Sequence, residues 1–225
     1  MIVTYDTTRV VSKLANLCQA WHKAFVPKTK VDTLKAKIGR PRSEKSQGAI
    51  LDAVDALLKE KGGAGLSIEA IASRAKVGKK TIYRWWPSIA DIVLEAGLRR
   101  AAKSIPVPAE KSFEETFRIF LSRSMLSIAD GGDVYLRYLM AYAQQDELFR
   151  ARFREQFVEK RRAVLSSILL QATESGQIKF KHETGLLVDI VFGAMWYRLL
   201  VGHSPLDEAF ADELTAVVMG YCEEK

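Results

Sequence analysis

The sequence is poor in the residues that would build a disulfide framework or a metal centre. Its 225 residues hold two cysteines, Cys18 and Cys222, far apart and without ligand spacing, which argues for a reducing compartment and against a disulfide-stapled fold. The three histidines, His22, His182 and His203, are scattered, with no HExxH pattern and no cysteine partner nearby, so no metal site and no cofactor are expected. Uninterrupted apolar runs of membrane length are also missing. The longest apolar stretch, Gly185–Gly202, contains Asp189 and Arg198 and reads as a buried helix; no membrane partner is expected. The apolar segment Val10–Trp21 is broken by Lys13, Asn16 and Gln19 and makes a poor signal peptide, leaving the cytoplasm as the expected compartment. Nothing alternates with period two over a useful length, which removes any sheet and leaves an all-α class.

Catalytic arrangements are equally scarce. The segment KGGAGLS lacks the GxxxxGK[ST] frame and a preceding strand, so it reads as a helix stop and a turn; GKKT at 78–81 has the same defect. GHSP at 202–205 is not a GxSxG nucleophile turn. Acidic pairs such as Glu114-Glu115 and Asp207-Glu208 fall at helix starts, where they complement the helix dipole. No enzyme is expected, and no catalytic residue is assigned.

What the sequence does hold is positive charge, unevenly placed. Net charge is +7. Residues 1–38 carry seven Lys/Arg against two Asp, residues 39–105 thirteen against seven, and residues 106–225 fourteen against eighteen. A basic N-terminal half on a mildly acidic body suits a polyanion-binding head, although surface lysine also serves solubility alone. Residues 1–38 are weakly patterned and end in a basic linker with Pro27. They read as an N-terminal extension, either an appended arm, disordered or not, or upstream sequence from a misassigned start codon.

From Gly39 the helical signals sharpen. After the basic arm GRPR, Ala49, Ile50, Ala53, Val54, Leu57 and Leu58 repeat at amphipathic spacing, and Gly62-Gly63 supply a stop. Ser67 caps a second helix with Glu69 in its first turn, and a break at Lys76-Val77-Gly78 leads into a short third helix, Lys79–Trp85. Pro87-Ser88 opens a fourth, with Asp91 completing a variant capping box. Beyond Pro106 and Pro108, long helices are expected near 110–129, 133–143, 146–175, 183–202 and 207–223.

A short helix, a tight turn and a second short basic helix form the helix-turn-helix pattern, in which one helix enters the major groove and the other fixes its angle. Ile71, Ala72, Ala75, Val77 and Ile82 supply the crossing, and Lys79, Lys80, Thr81, Tyr83 and Arg84 offer phosphate and base partners within six residues.

Gly39–Arg42 followed by ILDAVDALLKEKGGAGLSIEAIASRAKVGKKTIYRWWPSIADIVLEA resembles the DNA-binding domain of the tetracycline-repressor (TetR) family, most densely over IASRAKVGKKTIYRWWPS. The resemblance covers roughly residues 39–100. It implies a three-helix head at 39–88, a bridging helix at 89–105 and a larger helical ligand-binding and dimerisation domain at 106–225. It further implies a homodimer on a palindromic double-stranded DNA operator, most simply a repressor released by a small-molecule effector. The competing expectation is a constitutive or architectural DNA-binding protein with no effector.

Position by position, the resemblance gives Thr81 and Tyr83 phosphate contacts, and puts Lys79 and Lys80 within reach of bases or phosphates. Arg84 and Trp85 fall where family members vary, Arg40 and Arg42 match the N-terminal arm, and Trp86 ends the motif in the core. At the position where the family often has a phosphate-binding lysine, this chain has Ile89.

In the body, Phe117, Phe120, Tyr138, Met140, Tyr142, Phe153 and Trp196 are the candidate lining of a cavity for an apolar or aromatic effector, with ordinary core as the alternative for each. Ile190, Met195, Leu199, Leu214, Val217, Val218 and Tyr221, on the last two helices, are the candidate dimer interface, internal packing being the alternative.

Overall fold

The computed structural model describes residues 44–101 and 112–223; Arg40, Arg42 and the extension 1–38 lie outside them. Ten α-helices run through the described residues, with no strand and a single isolated antiparallel bridge, Phe180 to Cys222.

Helix α1 (Glu44–Lys61) buries Ile50, Leu51, Ala53, Val54, Leu57 and Leu58 along one face and closes with Lys59 and Lys61 in its last turn. Gly62, at φ 61°, ends it in a conformation that costs a glycine little. The Ser67 hydroxyl accepts from the Ala70 amide at 3.1 Å and starts α2 (Ile68–Ala75), which Lys76 terminates in the left-handed region at φ 54°. Gly78 then opens α3 (Lys79–Trp85). Ser88 caps α4 (Ile89–Ala101): its Oγ accepts from the Asp91 amide at 3.2 Å and donates to the Asp91 carboxylate at 2.7 Å.

The body begins with α5 (Phe113–Ser127), capped by Ser112. A π-type turn, Ile128–Gly132, bends the chain into α6 (Asp133–Ala143); Gly131 at φ 81° takes the kink. Asp146 caps α7 (Glu147–Phe153). The stretch expected as one helix over 146–175 is interrupted by a second π-type turn, Arg154–Val158, before α8 (Glu159–Glu174). Helices α9 (Thr184–Val201) and α10 (Glu208–Gly220) complete the body; Gly202 ends α9 at φ 71° and Asp207 caps α10.

Two apolar cores result. One joins α1–α4 to α6 and α7, so that Ile50, Val54 and Ile71 of the head share packing with Tyr135, Leu139 and Phe149 of the body. The other lies among α5, α8, α9 and α10 around Phe117, Leu165, Val191 and Leu214. Helix α4 runs from the head to the boundary between them, which positions it to feel both.

Candidate nucleic-acid interface and body cavity

Helices α2 and α3 stand as the sequence pattern requires. Ile71, Ala72 and Ile82 are buried at their crossing, and Arg74 grips Glu60 of α1 through two hydrogen bonds of 2.5 and 2.6 Å. With Ile82 and Trp86 turned inward, α3 presents Lys79, Lys80, Tyr83 and Arg84 to solvent; Tyr83 is 61% exposed. Thr81 and Trp85 are half-buried at the edge of this face. The Trp85 ring meets Trp86 edge-on at 5.6 Å, with the Arg84 guanidinium 5.4 Å from its centroid. Trp86 is fixed from below: its indole N–H donates to Glu95 of α4 at 2.7 Å, and Gln47 of α1 donates to the other oxygen of the same carboxylate. A rigid apolar underside and a polar, cationic upper side are what a groove-reading helix needs.

Lys79 is less available than its position suggests. Its ammonium is paired with Glu69 of α2, and that hydrogen bond holds the lysine charged beyond its ordinary range while lowering the carboxyl's pKa. A phosphate reaching Lys79 must displace Glu69.

A cavity of about 90 Å³ lies in the body behind α4. Leu94, Gly97 and Arg100 of α4 form one wall; Phe120 and Ser124 of α5 with Tyr135 and Leu139 of α6 form the next. Phe157, Arg161 and the α9 residues Phe192, Met195, Trp196 and Leu199 close it.

Among the expected effector residues, Phe120 and Trp196 are in this lining. Phe117 is not: it is wholly buried in the second core. Tyr138, Met140, Tyr142 and Phe153 are not either, because the helical period of α6 and α7 turns them towards the head core. There the rings of Tyr138, Tyr142, Phe149, Phe153 and Phe157 follow one another at centroid distances of 6.4, 5.1, 6.2 and 5.5 Å, ending at the cavity with Phe157.

The expected interface residues divide similarly. Met195 and Leu199 face the cavity, while Leu214 and Val218 are buried inside the protomer. Ile190 and Tyr221 are half-buried, Tyr221 against His182, and Val217 is exposed. The exposed apolar side chains of α9 are instead Leu186, Tyr197, Leu200 and Val201. That helix is apolar on every side, so its period could not reveal which face turns outward. Arg100 and Arg161 were not anticipated at the cavity; Arg100, in the last turn of α4, reads first as a partner for the dipole, and Arg161, near the start of α8, carries no local signal of a cavity. No group of three potential metal-ligating side chains occurs among the described residues.

The fold and the α2–α3 geometry define a helix-turn-helix DNA-binding regulator. Residues 50–96 match the family model described as bacterial regulatory proteins, tetR family, and residues 107–218 match the tetracyclin repressor-like C-terminal domain. The chain belongs to the TetR family of transcriptional regulators. It is 28% identical over 181 residues to the HTH-type transcriptional regulator YdeS of Bacillus subtilis, covering 80% of this chain and 91% of that protein. Among solved structures, the TetR family regulator SCO0332 superposes with a TM-score of 0.61 at 29% identity, covering 80% of this chain and all of the other. FadR from Bacillus subtilis, solved in complex with stearoyl-CoA, shares the fold at 19% identity and a TM-score of 0.58, over 76% of this chain and 96% of its own.

Proposed function

We propose that the protein is a cytoplasmic, homodimeric repressor that holds a palindromic operator and leaves it when a small molecule fills the body cavity. The observation that carries this reading is the double duty of α4. Its first half packs under the recognition helix through Glu95 and Trp86, and its last half forms a wall of the cavity. A ligand that favours one setting of α4 therefore biases the setting of α3. Two recognition helices must stand about 34–36 Å apart to enter successive major grooves, so a small rotation of each is enough to lose the operator.

In this reading Lys80, Tyr83 and Arg84 contact the DNA directly, Thr81 and Trp85 flank them, and Lys79 joins by exchanging Glu69 for a phosphate. Arg40 and Arg42 serve as the arm ahead of α1. The second copy docks on the exposed apolar side chains of α9 and α10, Leu186, Tyr197, Leu200, Val201 and Val217. Only five of the 18 residues of α9, Leu187, Val188, Val191, Met195 and Leu199, are buried within the protomer. So much uncovered apolar surface on a soluble chain calls for a partner. The stearoyl-CoA complex of FadR gives a precedent for a ligand bound to a protein of this fold. A purely architectural DNA-binding protein needs no hollow behind α4, and the cavity counts against that alternative.

The test is fluorescence anisotropy on duplexes from the region upstream of the protein's own gene, at several salt concentrations, with Tyr83→Phe and Lys80→Ala beside wild type. Tight binding to one short palindrome is expected, weakened by both changes, with a salt slope shallower by about 0.9 for the lysine variant. Equal, weak binding to every duplex would overturn the specific-regulator reading.

A further inference from the structure

The cavity is apolar but not neutral, and the charge in its described lining has one sign. Arg100 and Arg161 both stand in its lining, and no Asp or Glu does among the described residues. Arg100 comes from the last turn of α4. One of its terminal nitrogens reaches outward to Asp130 at 2.7 Å, a carboxylate whose side chain is 90% exposed. Its Nε is buried with no hydrogen-bond partner. Arg161, from α8, borders both this cavity and an adjoining hollow of about 190 Å³, and burial pulls its guanidinium below the usual range.

A buried N–H without a partner is costly, and a guanidinium cannot relieve the cost by losing its proton. Arg100 carries that cost, and with Arg161 also in the lining the low-dielectric space has a positive side that an anion suits. The planar fork of arginine suits a carboxylate, which can accept two parallel hydrogen bonds. The remaining walls, Phe120, Leu139, Met195 and Leu199, suit a hydrocarbon body.

We propose that the effector is an organic acid with an apolar body, its carboxylate between Arg100 and Arg161 and its hydrocarbon part against α5, α6 and α9. The proposal rests on the ligand-sensing reading above and supplies its chemistry. It also supplies a lever. A carboxylate on Nε draws the Arg100 side chain inward from Asp130, and so pulls the end of α4 relative to the kink between α5 and α6.

The experiment is calorimetric titration of the full-length protein with octanoate, with 1-octanol as the neutral analogue of equal length, and with octanoyl coenzyme A. Octanoate is expected to bind at least about tenfold more tightly than octanol. Arg161→Gln is expected to abolish that preference while leaving octanol binding in place, and Arg100→Gln to do the same. Should Arg100→Gln fail to fold, which its melting curve would reveal, Arg161→Gln carries the test alone. Octanol binding as tightly as octanoate would overturn the anion proposal and leave ligand sensing intact. So would octanoate binding that survives both arginine changes, or binding of octanoyl coenzyme A alone, whose phosphates would then place the anion elsewhere. Adding each compound to the operator anisotropy assay separates the two readings. Binding by calorimetry with no release of DNA would overturn the sensing mechanism and not the acid site.

Discussion

The hydroxyl of Tyr135 donates a hydrogen bond to the carboxylate of Asp55, joining a ring that lines the cavity to the first helix of the DNA-binding head. Tyr135 is almost fully buried, and Asp55 also holds Lys59 at 3.0 Å, so the contact is a short bridge of charge and ring between body and head. Tyr135→Phe keeps the ring and removes the bridge. A hydrogen bond to a charged group at a partly exposed site contributes about 1–2 kcal/mol, and a loss of that size is expected in urea unfolding at pH 7.

The same pair gives a pH signature. Burial, reinforced by Asp55, raises the Tyr135 phenol above its ordinary value of 10.0. A group whose folded pKa is raised contributes stability that is full below the unfolded pKa and is lost as pH rises beyond it. Above pH 10 the unfolded chain ionises this tyrosine and the folded one does not. The stability gap between wild type and Tyr135→Phe should therefore narrow from pH 10 upward; a gap that holds constant to pH 11 would refute the bridge as the cause.

Gly63 and Tyr138 make another close approach between head and body. A Cβ added at Gly63 would stand 2.8 Å from Cδ2 of the Tyr138 ring, nearer than two carbons can pack. Gly63→Ala is expected to destabilise by about 1–2 kcal/mol, the cost of moving a half-buried aromatic in a packed site. Tyr138→Leu should remove most of that penalty, so the double-mutant cycle should show a coupling of about 1 kcal/mol. Additive effects would mean that the turn after α1 yields freely.

The helices of the helix-turn-helix were legible because their signals are local. Ser67, Gly78 and Ser88 mark starts, Lys76 and Gly62 mark stops, and the apolar period of α1 and α2 selects one inward face. What the sequence concealed depends on long-range packing. Tyr138 and Tyr142 carry the same aromatic signal as Phe120 and Trp196, and only tertiary packing decides which pair meets the cavity. No Gly or Pro announces the π-type turn at Arg154–Val158. The pairing of Lys79 with Glu69 crosses the turn between two helices, so no helical spacing rule foretells it.

That pairing can be tested through DNA. Glu69 both occupies Lys79 and brings a negative charge to the edge of the proposed binding face. Glu69→Gln should free the ammonium for phosphate, raising affinity for operator and for unrelated duplexes alike, with a salt slope steeper by about 0.9. The gain should vanish when Lys79→Ala is added. A Glu69→Gln variant with unchanged affinity and slope would place Lys79 outside the phosphate track.

The exposed face of α9 sets the last expectation. Tyr197 is 61% and Val201 58% exposed on a helix whose opposite side closes the cavity, so one surface of α9 lines the cavity and the other faces outward, where the proposed second copy would dock. If the second copy covers Tyr197, a carboxylate there must lose its water on association, a cost of several kcal/mol. Tyr197→Glu should then raise the dimer dissociation constant at least about a hundredfold, which corresponds to about 2.7 kcal/mol. Light scattering at micromolar protein should report a monomer with an unchanged far-ultraviolet spectrum. A monomer carries one recognition helix, so it should bind a single half-site as weakly as wild type does and gain nothing from the palindrome. A Tyr197→Glu protein that remains dimeric would move the interface off α9. It would also separate cavity and dimer contact, which the proposed interface sets on opposite sides of one helix.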